Sequence, residues 1–386
     1  MLLPLCQHPK TFCDLKLIFR SYFTIFIQLK NQFAEVFEGS LPIFLGKKSV
    51  TIKYKFHHMV ISNFKPFKGQ HCETTATGSL LLQMGINLSE PMLFGIGEGL
   101  SYIFWNMRIM DFPFIGGRVK PDVLTENICT NLNLKLVVQE TSSVKKAWEN
   151  VKSLLDTEKA VGLKLDSFYL DYFTNKIHFA GHYVAMYGYD DQWAYLIDTA
   201  QQGSNVKASL KNLALARNEK GPMSSRNRSY VINNETQNPE LNEVVKTAIR
   251  NNTEAYLNPP IKNISYKGIA KTATEIQKWF KTSKDVKGDF QTTAVLMERA
   301  GTGGSIFRNL YRDFLKESYE LLQLDGLKEA YSDFAEIAKL WKQVSDLFYE
   351  AGSTHDQDPI NRASEVLLEL AERERQAMEN LHAAIS

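Results

Sequence analysis

A thiol, an imidazole and a carboxylate occur in this chain in an order that supports nucleophilic acyl chemistry. Cys72 stands in Gly69-Gln70-His71-Cys72-Glu73-Thr74-Thr75-Ala76-Thr77-Gly78. It heads a run of small and apolar residues that predicts a helix from Cys72 to Met84, with Thr74 and Thr75 able to cap. A thiol at a helix N-terminus feels the positive end of the helix dipole, which favours the thiolate, the nucleophilic form. Much later comes Gly181-His182-Tyr183-Val184-Ala185-Met186-Tyr187-Gly188-Tyr189, and then Tyr195-Leu196-Ile197-Asp198. A Cys on a helix, a His entering a strand and an Asp closing the next strand match the roles of nucleophile, base and orienter.

Each role has competitors. His71 adjoins the cysteine, but neighbours at a helix start point apart. His178 precedes the strand and reads as a loop residue, and His57 and His58 are further candidates. His182 follows Gly181 at the mouth of a strand, where glycine permits close backbone approach. Asp190 and Asp191 are accounted for by a turn. Asp198 lies on the strand paired with that of His182, within side-chain reach across a tight turn. Gln70 is expected to offer its amide to a developing oxyanion beside the backbone N–H of Cys72. A structural reading competes with all of this, because free cysteines are among the most buried residue types.

These residues need a scaffold, and 386 residues suggest two domains. A formal net charge of +2 gives no strong attraction to nucleic acid or to an anionic membrane. The four cysteines, Cys6, Cys13, Cys72 and Cys129, contain no CxxC pair, so no zinc site, other metal site or disulfide framework is expected, and no cofactor is implied. A reducing cytoplasm is the simplest setting. The apolar run Phe12–Leu29 is broken by Asp14, Lys16 and Arg20, which argues against an integral membrane span. Residues 1–58 show no clean period. Readable patterning begins at Met59, so the preceding stretch is expected to lie upstream of the true start and to be dispensable.

From Met59 to about Thr199 the pattern mixes helices and strands. Helices are expected at Cys72–Met84, Pro121–Asn131 and Ser143–Leu155. Strands are expected at Leu134–Glu140, Ala160–Leu165, His182–Tyr189 and Trp193–Ile197, the last two as an antiparallel pair. Helix first and antiparallel sheet second gives an α+β, papain-like catalytic domain over residues 59–215. Gln201–Asn212 reads as a connection and Asn218–Asn238 as a polar loop. A helical domain over 239–386 follows, with stripes such as Leu327, Ala330, Phe334, Ile337, Trp341, Val344 and Phe348 packing helix on helix. Gly95-Ile96-Gly97-Glu98-Gly99 lacks the strand and the Lys-Ser/Thr of a phosphate loop. Gly301-Thr302-Gly303-Gly304-Ser305-Ile306-Phe307-Arg308 runs into a helix start, where free N–H groups suit an anion and Arg308 could assist. The competing view is a plain interhelical loop capped by Ser305, with Arg308 paired to Asp313 or Glu298 at the surface.

The strings His71-Cys72-Glu73-Thr74-Thr75-Ala76, Ser89-Glu90-Pro91-Met92-Leu93-Phe94-Gly95 and Gly97-Glu98-Gly99-Leu100, with Gly181-His182-Tyr183-Val184, resemble the butirosin biosynthesis protein H family. The Gly301–Leu315 segment looks like the helical C-terminal region often joined to that domain. The resemblance covers about 59–380. It implies an acyltransferase of secondary metabolism that moves an (amino)acyl group from a carrier-protein phosphopantetheine thioester to a small, aminoglycoside-like amine. Cys72, His182 and Asp198 would be catalytic, and Glu98 and Arg308 would hold substrate. A papain-like peptidase or amidase is the runner-up, since the same triad hydrolyses amides. A silent binding protein is the third reading. The Gly301–Arg308 turn is expected to face the Cys72 cleft and hold the donor phosphate.

Overall fold

His182–Tyr189 is the strand on which the site depends, and seven of its eight residues are buried, the pattern of a strand covered on both faces. The computed structural model describes residues 38–45, 48–55 and 58–385, except 108–109, 175, 222–223 and 236–238. Strands β1 (Glu38–Leu45) and β2 (Lys48–Lys55) form an antiparallel hairpin; the rest of the stretch expected to be dispensable lies outside the described residues apart from His58. Residues 60–188 and 193–386 make one compact unit.

The first part of that unit runs β3 (Met59–Val60), α1 (Cys72–Gln83), α2 (Glu90–Ile96), β4 (Leu100–Trp105), β5 (Phe114–Arg118) and α3 (Val123–Asn131). It continues β6 (Leu134–Gln139), α4 (Val144–Leu155), β7 (Val161–Leu165), β8 (His182–Tyr189), β9 (Trp193–Ile197), β10 (Asn205–Ser209), α5 (Leu210–Asn218) and β11 (Ser229–Asn234). The main sheet has the order β10–β9–β8–β7–β11–β6, with β3 beside β8. β7 pairs antiparallel with β8, setting Leu165 opposite His182, and β11 runs antiparallel to both β7 and β6. β7 meets α1 and also α4 and α5, so the centre of the sheet is sandwiched by helices. β4 and β5 form a separate hairpin.

Helix α1 explains its own small-residue sequence. Everything from Glu73 to Leu81 is buried, so Thr-Thr-Ala-Thr-Gly-Ser lets α1 lie close to its neighbours. Its hydroxyls are spent internally: Thr77 meets Thr125 at 2.8 Å and Tyr230 at 3.2 Å, and Ser79 donates to the Thr75 carbonyl.

The remaining chain is helical: α6 (Leu241–Leu257), α7 (Ser265–Thr282), α8 (Val286–Arg299), α9 (Arg308–Leu322), α10 (Asp325–Thr354) and α11 (Asp358–Ala384). α10 is the spine, packing against α8, α9 and α11, and its expected stripe from Leu327 to Phe348 is buried throughout. α9 and α6 also pack on α2, and α7 packs on β4. The architecture is α+β: an antiparallel sheet with its helices, then a mostly helical region.

Three stretches differ from expectation. The supposed connection after Gln201 contains edge strand β10, and the polar stretch after Asn218 contains β11, buried between β7 and β6. In β11 the apolar run Tyr230-Val231-Ile232 is short and framed by Ser and Asn, so the flanks mask the strand. α3 begins at Val123, not Pro121, because Asp122 has φ 79 and spends its carboxylate on Lys164, Tyr183 and Arg228.

Candidate active site

Cys72 is the first residue of α1, half-buried, with His71 in extended conformation before it. The first-turn N–H groups of a helix have no partner within it, so the thiol sits at the dipole's positive end. Two contacts fix the preceding backbone. Glu90, at the start of α2, accepts the Gln70 N–H at 2.8 and 2.9 Å, the His71 N–H at 2.8 Å and the Thr74 hydroxyl at 2.8 Å. The Gly69 carbonyl accepts the N–H of Ala200, two residues past Asp198.

His182 opens β8 and Asp198 directly follows β9, so the hairpin places both at one end of the sheet. His182 Nε2 lies 2.7 Å from Asp198 Oδ2. Asp198 is fully buried and accepts two further bonds, from the Tyr172 hydroxyl at 2.7 Å and the Thr199 N–H at 2.6 Å. The Phe173 ring meets the imidazole edge-on at 5.3 Å. Burial alone would lower the His182 pKa, but the Asp198 charge and then Cys72, as charge and hydrogen-bond partner, push it up to about 10. With Nε2 committed to Asp198, Nδ1 is the nitrogen left to exchange a proton with the thiol.

The surroundings separate this imidazole and thiol from their neighbours. His71 is held well below the ordinary imidazole range by burial, with the charges of Arg118 and His182 adding to it. Glu73 is buried, with burial raising its pKa against the opposing charge of Arg118, 2.9 Å away. Cys129 is buried and its thiol is pushed up to about 12 by burial, then by Glu126, which marks it as inert at neutral pH.

The structure brings Cys72, His182 and Asp198 together. Gln70 is exposed, two residues before the thiol. Glu98 and Arg308 are placed otherwise than expected. The Glu98 carboxylate takes the side-chain amides of Asn127, Asn131 and Asn251, tying the α2–β4 turn to α3 and α6. Arg308 is wholly buried, its Nε and Nη2 each donating at 2.8 Å to one oxygen of Glu374. Neither surface partner expected for Arg308 holds it, and its guanidinium is spent on Glu374 and on the backbone carbonyls of Ile306 and Gly117 instead of on a donor phosphate. Ser305 lies before α9 and does not cap it.

Among the described residues, one group has metal-ligand spacing: Asp166, His178 and Glu219, with ligand atoms within 4.8 Å of one another. Asp166 Oδ2 meets His178 Nδ1 at 2.8 Å, Asp166 Oδ1 accepts the N–H groups of Phe168 and Phe179, and Tyr169 donates to Glu219. These bonds brace the 166–181 loop that carries Tyr172 and Phe173. Tyr172 escaped the sequence reading because nothing in a loop tyrosine's spacing marks it.

Residues 71–199 match the family model of the butirosin biosynthesis protein H N-terminal domain. Over this stretch the chain is similar to that N-terminal domain. Its matched span begins one residue before Cys72 and ends one residue after Asp198, so all three residues of the candidate site lie within it. Residues 211–381 match a domain of unknown function, DUF4872. No curated protein matches the chain. No helix among the described residues is long and apolar enough to cross a membrane.

Proposed function

We propose that this protein is a cysteine-dependent acyltransferase of butirosin-type antibiotic biosynthesis, acting in the cytoplasm. The observation that carries the reading is His182, buried against Asp198 on Nε2 and coupled to Cys72, at the head of α1. That is the equipment of a thiol nucleophile paired with an imidazolium.

In the proposed cycle Cys72 Sγ attacks the carbonyl carbon of a carrier-protein thioester. The carbonyl electron pair moves onto oxygen, where the Cys72 N–H and the Gln70 amide receive it. Collapse breaks the donor C–S bond, and the departing thiolate takes the His182 proton. An amine then attacks the acyl–Cys72 thioester and loses its proton to His182 Nδ1, and Cys72 leaves as thiolate. Asp198 holds the imidazole in the tautomer and orientation that both halves need. On this reading the papain-like catalytic domain runs past the expected boundary at 215 to include α5 and β11, and the helices from α6 onward form a helical domain packed on it.

The test is turnover of an acyl-thioester with and without added amines. Amide product that scales with amine supports transfer. Hydrolysis of peptide substrates indifferent to amine would make the protein a peptidase or amidase, and full function in both Cys72→Ala and His182→Ala would leave only a binding role.

A further inference from the structure

The turn from Gly301 to Phe307, just before α9, has an unusual backbone. Gly301, Gly303 and Gly304 have φ of 71, 68 and 84, and the next three residues also sit at positive φ: Ser305 at 49, Ile306 at 48 and Phe307 at 75. For L-residues with a Cβ this conformation is costly, and a β-branched isoleucine there is exceptional. Its strained residues Ser305, Ile306 and Phe307 are nonetheless buried, and the turn is fastened at several points. The Ser305 hydroxyl donates to the Ala338 carbonyl at 2.8 Å, and the Arg308 guanidinium, fixed by Glu374, donates to the Ile306 carbonyl at 2.9 Å and the Gly117 carbonyl at 3.2 Å. The Phe307 ring meets His71 edge to face at 5.2 Å.

The strain is held next to the nucleophile. A Cβ on Gly301 would lie 3.1 Å from the Gln70 carbonyl oxygen, 3.6 Å from His71 Cα and 4.0 Å from the backbone nitrogen of Cys72. The segment 70–72 therefore has Glu90 on the Gln70 and His71 N–H groups and Gly301 against its backbone.

We propose that the Gly301–Phe307 turn is a positioning strap by which the DUF4872 region holds the nucleophile-bearing backbone of Gln70–Cys72 in its reactive place, with Gly301 as the positioning residue at the contact. This rests on the reading of Cys72 as nucleophile. Glycine is required twice over, for its φ and for the approach.

Alanine at Gly301 tests the strap, with Gly85→Ala as control. Gly85 follows the other end of α1 at φ 84, but a Cβ there meets nothing within 4 Å, so it reproduces the backbone strain without the crowding. The readout is the rate and pH dependence of Cys72 alkylation by iodoacetamide, a reaction that needs no acyl donor. Gly301→Ala is expected to slow alkylation by about tenfold or more and to move its pH midpoint, while Gly85→Ala loses thermal stability but alkylates like wild type. Equal alkylation in Gly301→Ala and wild type overturns the proposal, as does an equal slowing in Gly85→Ala. Should Gly301→Ala not fold, Thr302→Val decides. It removes the bonds from Thr302 to the Met297 carbonyl and from the Gly304 N–H; slowed alkylation supports the strap and an unchanged rate overturns it. Loss of acyl transfer to any amine, with the alkylation pattern intact, counts against the acyltransferase reading and not against the strap.

Discussion

The Tyr172 hydroxyl donates at 2.7 Å to Asp198 Oδ2, the same oxygen that holds His182. A buried carboxylate oxygen shared by a phenol and an imidazole ties the loop between β7 and β8 to the end of β9. Hydrogen bonds to charged groups contribute about 1.5–3 kcal/mol. Tyr172→Phe should therefore lower unfolding free energy by about that amount in urea titration. No loss would mean that Asp198 does not depend on the phenol.

Asp198→Asn removes the negative charge that most raises the His182 pKa. The imidazolium should then deprotonate at lower pH, and the basic transition in the pH profile of Cys72 alkylation should move down from about 10 toward the ordinary imidazole range. A transition that stays in place would assign the raised pKa to Cys72 alone.

Stability should carry the same signature. A group whose folded pKa is raised stabilises fully below its unfolded pKa, and the contribution disappears as pH climbs through the folded value. For His182 that window runs from about 6.5, the unperturbed value, to about 10. The stability advantage of wild type over His182→Gln should shrink steadily across it in denaturant titrations. His71, whose pKa is depressed by burial, acts in the opposite sense: its contribution is present above about 6.5 and is lost as pH falls.

Breaking the Arg308–Glu374 pair should be severe. Glu374 also accepts from the Trp341 indole at 2.6 Å and from Tyr256, and Arg308 has no exposed surface. Removing one partner of a buried pair costs about 3–5 kcal/mol because a charge is left uncompensated. Glu374→Ala should show a loss of that size in denaturant titration; a loss typical of a surface substitution would contradict the buried-pair account.

The parts of the site that follow from local pattern were legible in the sequence. A cysteine opening a run of small residues marks the start of α1, and two apolar runs around Asp190-Asp191-Gln192 give the β8–β9 hairpin residue for residue, carrying His182 and Asp198 to one end of the sheet. What depends on distant partners was not legible. Arg308 sits in a glycine-rich turn that looks like an anion site, and only the fold shows Glu374, 66 residues on, reaching it. Tyr172 and Glu90 act through contacts that no periodicity encodes, and β11 is a strand because β7 and β6 flank it.

The central claim is that Cys72 carries the acyl group, and intact-mass spectrometry after incubation with an acyl-thioester tests it most directly. The account predicts a mass increase equal to the acyl group on wild type, mapped to Cys72, discharged by added amine and absent in Cys72→Ala. An undiminished adduct in Cys72→Ala, or one mapped to Cys129, would contradict it.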